Sequence, residues 1–264
     1  MKRSTWERSA QLAIVLLCAL VLKLYYSTAN VNELRWILAP TTRAVELVSS
    51  SRFAFESYAG YVSSDRTFVI AASCAGVNFL ITGFLMLSLG KLWRAGSNRV
   101  AWRFFPGAAA CAYLATIVAN TVRITTALQF HGRSPEIAGL AQNDFHRLQG
   151  IVIYFGFLLL LFVLSERLVR TGSDSDAAIS SSSRHSLWRK SLFPLAIYYA
   201  TTLGLPLANA LRLRNASADF WTHATFVLLT PLVFLVPLAV FRLSRSVMQF
   251  EGIESHPLRK LWKN

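Results

Sequence analysis

Long runs without a single charged side chain constrain this 264-residue chain more than any other feature. Residues 68–89, 104–121, 150–164, 192–211 and 224–241 contain no Asp, Glu, Lys or Arg, and residues 10–26 contain only Lys23. A helix needs about 20 apolar residues to cross a bilayer core. A soluble chain of this length would instead show short amphipathic periods. The pattern therefore predicts an all-α, polytopic transmembrane helix bundle of about six spans. Pro194, Pro206, Pro231 and Pro237 should kink or tilt the last two.

Charge then orients the bundle. The chain has 27 Lys+Arg against 13 Asp+Glu, a formal +14, yet only 15% of its residues are charged. An excess of basic residues marks either a nucleic-acid binder or a membrane protein with positive inside loops. With both termini in the cytoplasm, the inside segments 1–9, 91–103, 167–190 and 242–264 hold 17 of the 27 basic residues. The outside segments 27–67, 123–147 and 212–219 hold nine, and Lys23 completes the set. The bias favours both termini inside and leaves no nucleic-acid footprint. The first span reads as an uncleaved anchor rather than a signal peptide, because its apolar stretch is long for an h-region.

The expected organisation follows. Residues 1–170 form a four-span core, 171–190 a Ser-rich cytoplasmic linker, and 191–264 a two-span region with a basic tail. In the outside segment 27–67, Leu34, Ile37 and Leu38 share a helical face that ends at Pro40. That pattern suits either a short interfacial helix or an irregular loop.

Polar residues are the informative exceptions in such a chain, since they cost free energy in lipid. Thr116, Asn120 and Arg123 are spaced i, i+4, i+7, and Cys74, Asn78 and Thr82 are spaced i, i+4, i+8, so each set predicts one helical face. At 1.5 Å per residue Arg123 lies about 28 Å from Phe104, Cys74 about 26 Å from Lys91 and His146 about 31 Å from Arg167. Loop charge alone thus puts Cys74, Arg123 and His146 at the outer boundary of three consecutive spans. A thiolate is a nucleophile, His moves protons near neutral pH, and Arg is a fixed donor to an oxyanion. Together they suit acyl transfer. Asn78 and Asn120 could orient these groups. Cys18 and Cys111, among apolar neighbours, read as small core residues.

At these positions the sequence resembles the exosortase/archaeosortase family of membrane cysteine transpeptidases. The resemblance rests on Ser73-Cys74-Ala75-Gly76, matching Cys-x-Gly at a helix start, on Asn120-Thr121-Val122-Arg123, matching Asn-x-x-Arg at a helix end, and on His146 before the next span. It covers residues 10–170, and the run from Cys74 to Phe79 is most similar to the subtype called exosortase K. The resemblance implies a Cys74 nucleophile, a His146 general acid/base and an Arg123 oxyanion donor, supported by Gly76, Asn78 and Asn120. It also implies exported protein substrates with a C-terminal sorting signal: a short motif, a membrane helix and a basic tail. The enzyme would sit in the inner membrane of a prokaryote with its site on the outer side. The alternative is a non-enzymatic membrane scaffold or assembly factor. No Gly-rich phosphate loop, CxxC pair or HExxH motif is present, so no cofactor or metal is expected.

Overall fold

The computed structural model describes residues 2–95, 99–130, 142–171, 195–204, 224–225 and 227–229. Five helices dominate them: α1 (Lys2–Thr28), α2 (Arg35–Val48), α3 (Val77–Ala95), α4 (Phe104–Phe130) and α5 (Gln142–Thr171). Four are long and apolar enough to cross a membrane, over Trp6–Thr28, Ala72–Ala95, Phe104–Phe130 and Leu148–Arg167. These are the first four expected spans, and they make the chain a membrane protein. Most of the expected fifth and sixth spans, and nearly all of the Ser-rich linker, lie outside the described residues.

Helix α3 is central and packs against α1, α4 and α5. Its burial extends almost all round, from Phe79, Leu80 and Ile81 to Leu85, Met86 and Leu87. Gly83 permits the close approach of α4, since a Cβ there would sit 3.5 Å from that of Ala112. Helix α1, by contrast, buries one narrow stripe at i, i+4, i+8: Gln11, Val15 and Ala19. Leu16, Leu17, Leu20 and Val21 face outward, as a lipid-contacting surface requires. Gln11 tolerates burial because its amide donates to the carbonyl of Val100 at 2.8 Å. Cys18 and Cys111 are both exposed on the helix surfaces, which corrects their reading as core residues. Their apolar neighbours face lipid, so apolar surroundings in sequence do not imply a packed interior.

The segment between α1 and α3 departs most from expectation. It is not all helix: β1 (Phe53–Glu56), β2 (Gly60–Ser63) and β3 (Val69–Ile70) form an antiparallel sheet in that order. Phe53 pairs with Ser63, Glu56 with Gly60, and Tyr61 with Ile70. Gly60 has φ +119 and lies against β3, where a Cβ would come within 2.4 Å of the Ile70 carbonyl oxygen. Nor does α2 stop at Pro40, which lies inside it. Leu34, Ile37, Leu38, Thr41 and Val45 are buried by packing α2 along α4, so it is part of the bundle rather than a free interfacial helix.

Two further boundaries bear on the site. The second span was expected to be helical from residue 68, but Val69–Ile70 is a strand and α3 begins only at Val77. The third was expected to end near Arg123, but α4 continues for almost two more turns to Phe130.

Candidate functional site

Strand β3 delivers the chain into a single 3₁₀ turn, Ala72–Ala75, that carries Cys74. Ile70 is fully buried and anchors the strand end. The Cys74 amide donates to the carbonyl of Ala71 at 2.9 Å, closing the turn. Gly76 then takes a left-handed conformation, φ 69 and ψ 18, and α3 starts behind it. The expected helical face through Cys74, Asn78 and Thr82 is therefore interrupted: Cys74 precedes the left-handed residue and the other two follow it. Asn78 is exposed and accepts from Lys23 Nζ at 2.8 Å, while Thr82 donates to the carbonyl of Asn78.

Asn120 is the centre of the polar cluster and is fully buried. Its Nδ2 donates to the carbonyl of Ala75 at 2.9 Å, which ties α4 to the residue after Cys74. The Tyr154 hydroxyl on α5 donates to Asn120 Oδ1. Arg123 Nη1 in turn donates to the Tyr154 oxygen at 3.0 Å. Donors and acceptors alternate without conflict along the chain Arg123, Tyr154, Asn120, Ala75. The Arg123 guanidinium also lies over the Tyr154 ring, 5.5 Å from its centroid. Phe79 stacks on that ring at 5.2 Å.

Arg123 is half-buried and held from several directions. Gln149 Nε2 donates to its backbone carbonyl at 3.3 Å. Gly150 makes room for it, since a Cβ there would lie 3.2 Å from Arg123 Nε. Cys74 is part-buried and within electrostatic reach of Arg123, Tyr154 and Tyr26 of α1. Four elements thus converge: α1, the Cys74 turn, α4 and α5.

Of the residues expected from sequence, Cys74, Gly76, Asn120 and Arg123 come together here. Asn78 does not join their hydrogen-bond chain and pairs with Lys23 instead. His146 lies in α5, four residues before Gly150 and eight before Tyr154, and its side chain lies outside the described residues. Sequence reasoning missed Tyr154, Tyr26 and Gln149. A tyrosine hydroxyl inside a charge-free span needs a partner, and that rule applied to residues 150–164 would have flagged Tyr154.

Chemically, the cluster offers a thiol, a fixed cation and a rigid framework of amide and phenol groups. Comparison with protein-family models, curated proteins and solved structures gives no match to this chain.

Proposed function

We propose that the chain is a membrane-embedded cysteine peptidase or transpeptidase of the exosortase/archaeosortase kind, acting on exported proteins through a C-terminal sorting signal. The observation that supports this reading is the juxtaposition of Cys74 and Arg123. They lie 49 residues apart, on separate elements: Asn120, on the helix of Arg123, holds the carbonyl of Ala75 next to Cys74, and Arg123 is within electrostatic reach of the thiol.

In the proposed reaction the Cys74 thiolate attacks the scissile carbonyl carbon. Negative charge gathers on the carbonyl oxygen, where the Arg123 guanidinium donates. His146 takes the thiol proton and returns it to the departing amine as the C–N bond breaks. A thioester remains on Cys74. An acceptor amine, or water, then attacks it and restores the thiol. A substrate held by its own membrane helix would arrive pre-oriented, which lowers the entropic barrier. The proposed setting is the inner membrane of a prokaryote, with the site on the outer side.

The test compares the C-termini of exported proteins in host cells carrying the wild type, Cys74→Ala, Arg123→Ala or His146→Ala at matched membrane levels. C-terminal truncation of a subset should appear with the wild type only. Equal truncation with all three variants would overturn the assignment.

A further inference from the structure

We infer that the free edge of β3 seats the substrate: an extended peptide segment adds to it as a parallel strand, beside the Cys74 turn. The inference rests on the peptidase reading and names how that site holds its substrate backbone.

The sheet order leaves β3 paired on one side only, with β2. Facing residues of an antiparallel pair alternate between hydrogen-bonded and non-hydrogen-bonded pairs. The Ser63 amide donates to the Phe68 carbonyl at 2.9 Å, and the register continues as Val62 with Val69 and Tyr61 with Ile70. Phe68 and Ile70 therefore bond inward, and Val69 turns its amide and carbonyl to the outer edge. Ala71 stays extended, φ −84 and ψ 177, so its amide points the same way. Among the described residues, none of these three groups has a hydrogen-bond partner. Val69 is 41% exposed, and Ile70 beside it is fully buried and holds the edge in place.

The opposite edge of the sheet is occupied. The outward amide of Phe53 on β1 donates to Glu46 Oε1 of α2 at 2.8 Å, and Arg35 lies over the Phe55 ring, 4.4 Å from its centroid. The open edge is the one that continues into the candidate nucleophile: β3 enters the turn that carries Cys74 and then α3, a membrane-length helix. Val69 and Cys74 are about 13 Å apart along that path, the reach of about four extended residues. A substrate whose extended segment runs into its own membrane helix has the same order of elements. It can therefore lie parallel to β3 with its scissile carbonyl at the Cys74 turn. Main-chain bonds of this kind supply affinity for an extended backbone and leave specificity to side-chain contacts. The segment held is then the few residues on the amino side of the cut.

Ala71→Pro isolates one of these bonds. Proline removes the outward amide and keeps the carbonyl that accepts from the Cys74 amide. Its fixed φ of about −65° is close to the φ of Ala71. In host cells at matched membrane levels, Ala71→Pro should slow C-terminal truncation of exported proteins about tenfold, the scale of one main-chain bond left unmade. Its Tm and its rate of Cys74 alkylation by N-ethylmaleimide should match the wild type. If the wild type truncates exported proteins and Ala71→Pro truncates them equally fast, the edge inference falls and the peptidase reading stands. If the wild type truncates none, both fall. A second measurement does not need cleavage. The photocrosslinker p-benzoylphenylalanine replaces Val69, or the exposed Ala54 of β1, in the Cys74→Ala chain in the same cells. Peptides captured at position 69 should map to exported proteins just before a C-terminal membrane helix, with little capture at position 54. Capture at 69 of this chain alone or of lipid alone, or equal capture at both positions, would overturn the inference.

Discussion

The Tyr113 hydroxyl donates at 2.7 Å to the carbonyl of Trp36, the carbonyl four residues before Pro40. In an α-helix that carbonyl would accept from the amide of residue 40, and proline has none. A side chain from α4 thus supplies the bond that the α2 backbone lacks, at the same contact where the two rings stack. This explains how α2 runs through a proline that should end it.

The compensation predicts a coupling. Tyr113→Phe keeps the ring and leaves the Trp36 carbonyl without its donor, costing about 1–3 kcal/mol. In Pro40→Ala the amide of residue 40 can close the helix itself, so Tyr113→Phe should cost much less in that background. A double-mutant cycle on thermal unfolding in detergent reads the difference. Equal costs in both backgrounds would show that the hydroxyl does not compensate for the proline.

Gly76 carries a second sharp expectation. A Cβ there would lie 2.4 Å from Asn120 Nδ2, and the residue already sits at φ 69. Gly76→Ala must pay left-handed strain of about 1–2 kcal/mol and also displace the amide that holds the Ala75 carbonyl. Gly107→Ala is the control, since nothing lies within 4 Å of its added Cβ. The first variant should lower Tm clearly and the second should leave it unchanged or raise it. Similar Tm values for the two would contradict the packing described around Asn120.

These two cases show what could and could not be read from sequence. The charge-free runs exposed the four membrane-length helices, because hydrocarbon allows little else. Cys74, Asn120 and Arg123 stood out because polar groups in such runs are costly. The small sheet escaped, because its strands are only two to four residues long and lie beside exposed turns. The helix through Pro40 escaped because its missing bond is made by Tyr113, 73 positions away. The expected face through Cys74, Asn78 and Thr82 is broken because i, i+4 spacing assumes one continuous helix, and the left-handed Gly76 interrupts it.

Tyr154 links the two halves of the candidate site, so removing its hydroxyl is informative. Tyr154→Phe preserves the stack on Phe79 but leaves Asn120 Oδ1 and Arg123 Nη1 each without this partner. A cost of about 1–3 kcal/mol is expected, with normal membrane insertion. If Arg123 serves an oxyanion, processing of exported proteins should fall further than stability does, because the guanidinium loses its anchor. Asn120→Leu should be worse than Tyr154→Phe on both counts, since it also releases the Ala75 carbonyl. Full stability in Tyr154→Phe would mean that the network adds nothing.

The last prediction concerns pH and the turn that leads into β3. Asp65 accepts from Ser63 Oγ at 2.6 Å, from Thr67 Oγ1 at 2.8 Å and from the Thr67 amide at 3.2 Å. These donors, Ser63 foremost, stabilise the charged form and lower the Asp65 pKa from 3.8 to about 2. A depressed carboxylate pKa means that protonation favours the open turn. Its contribution is therefore complete above about pH 4, shrinks as pH falls from 3.8 toward 2, and is lost below that. The carboxylate is fully solvent-exposed, so the effect should be local and not a global unfolding. Nuclear magnetic resonance of the Thr67 and Phe68 amides in detergent should report one titration with an apparent midpoint near 2. Asp65→Asn should abolish that titration and weaken the pairing of the Ser63 amide with the Phe68 carbonyl at every pH. A midpoint at the ordinary aspartate value would show that the three donors do not hold the carboxylate.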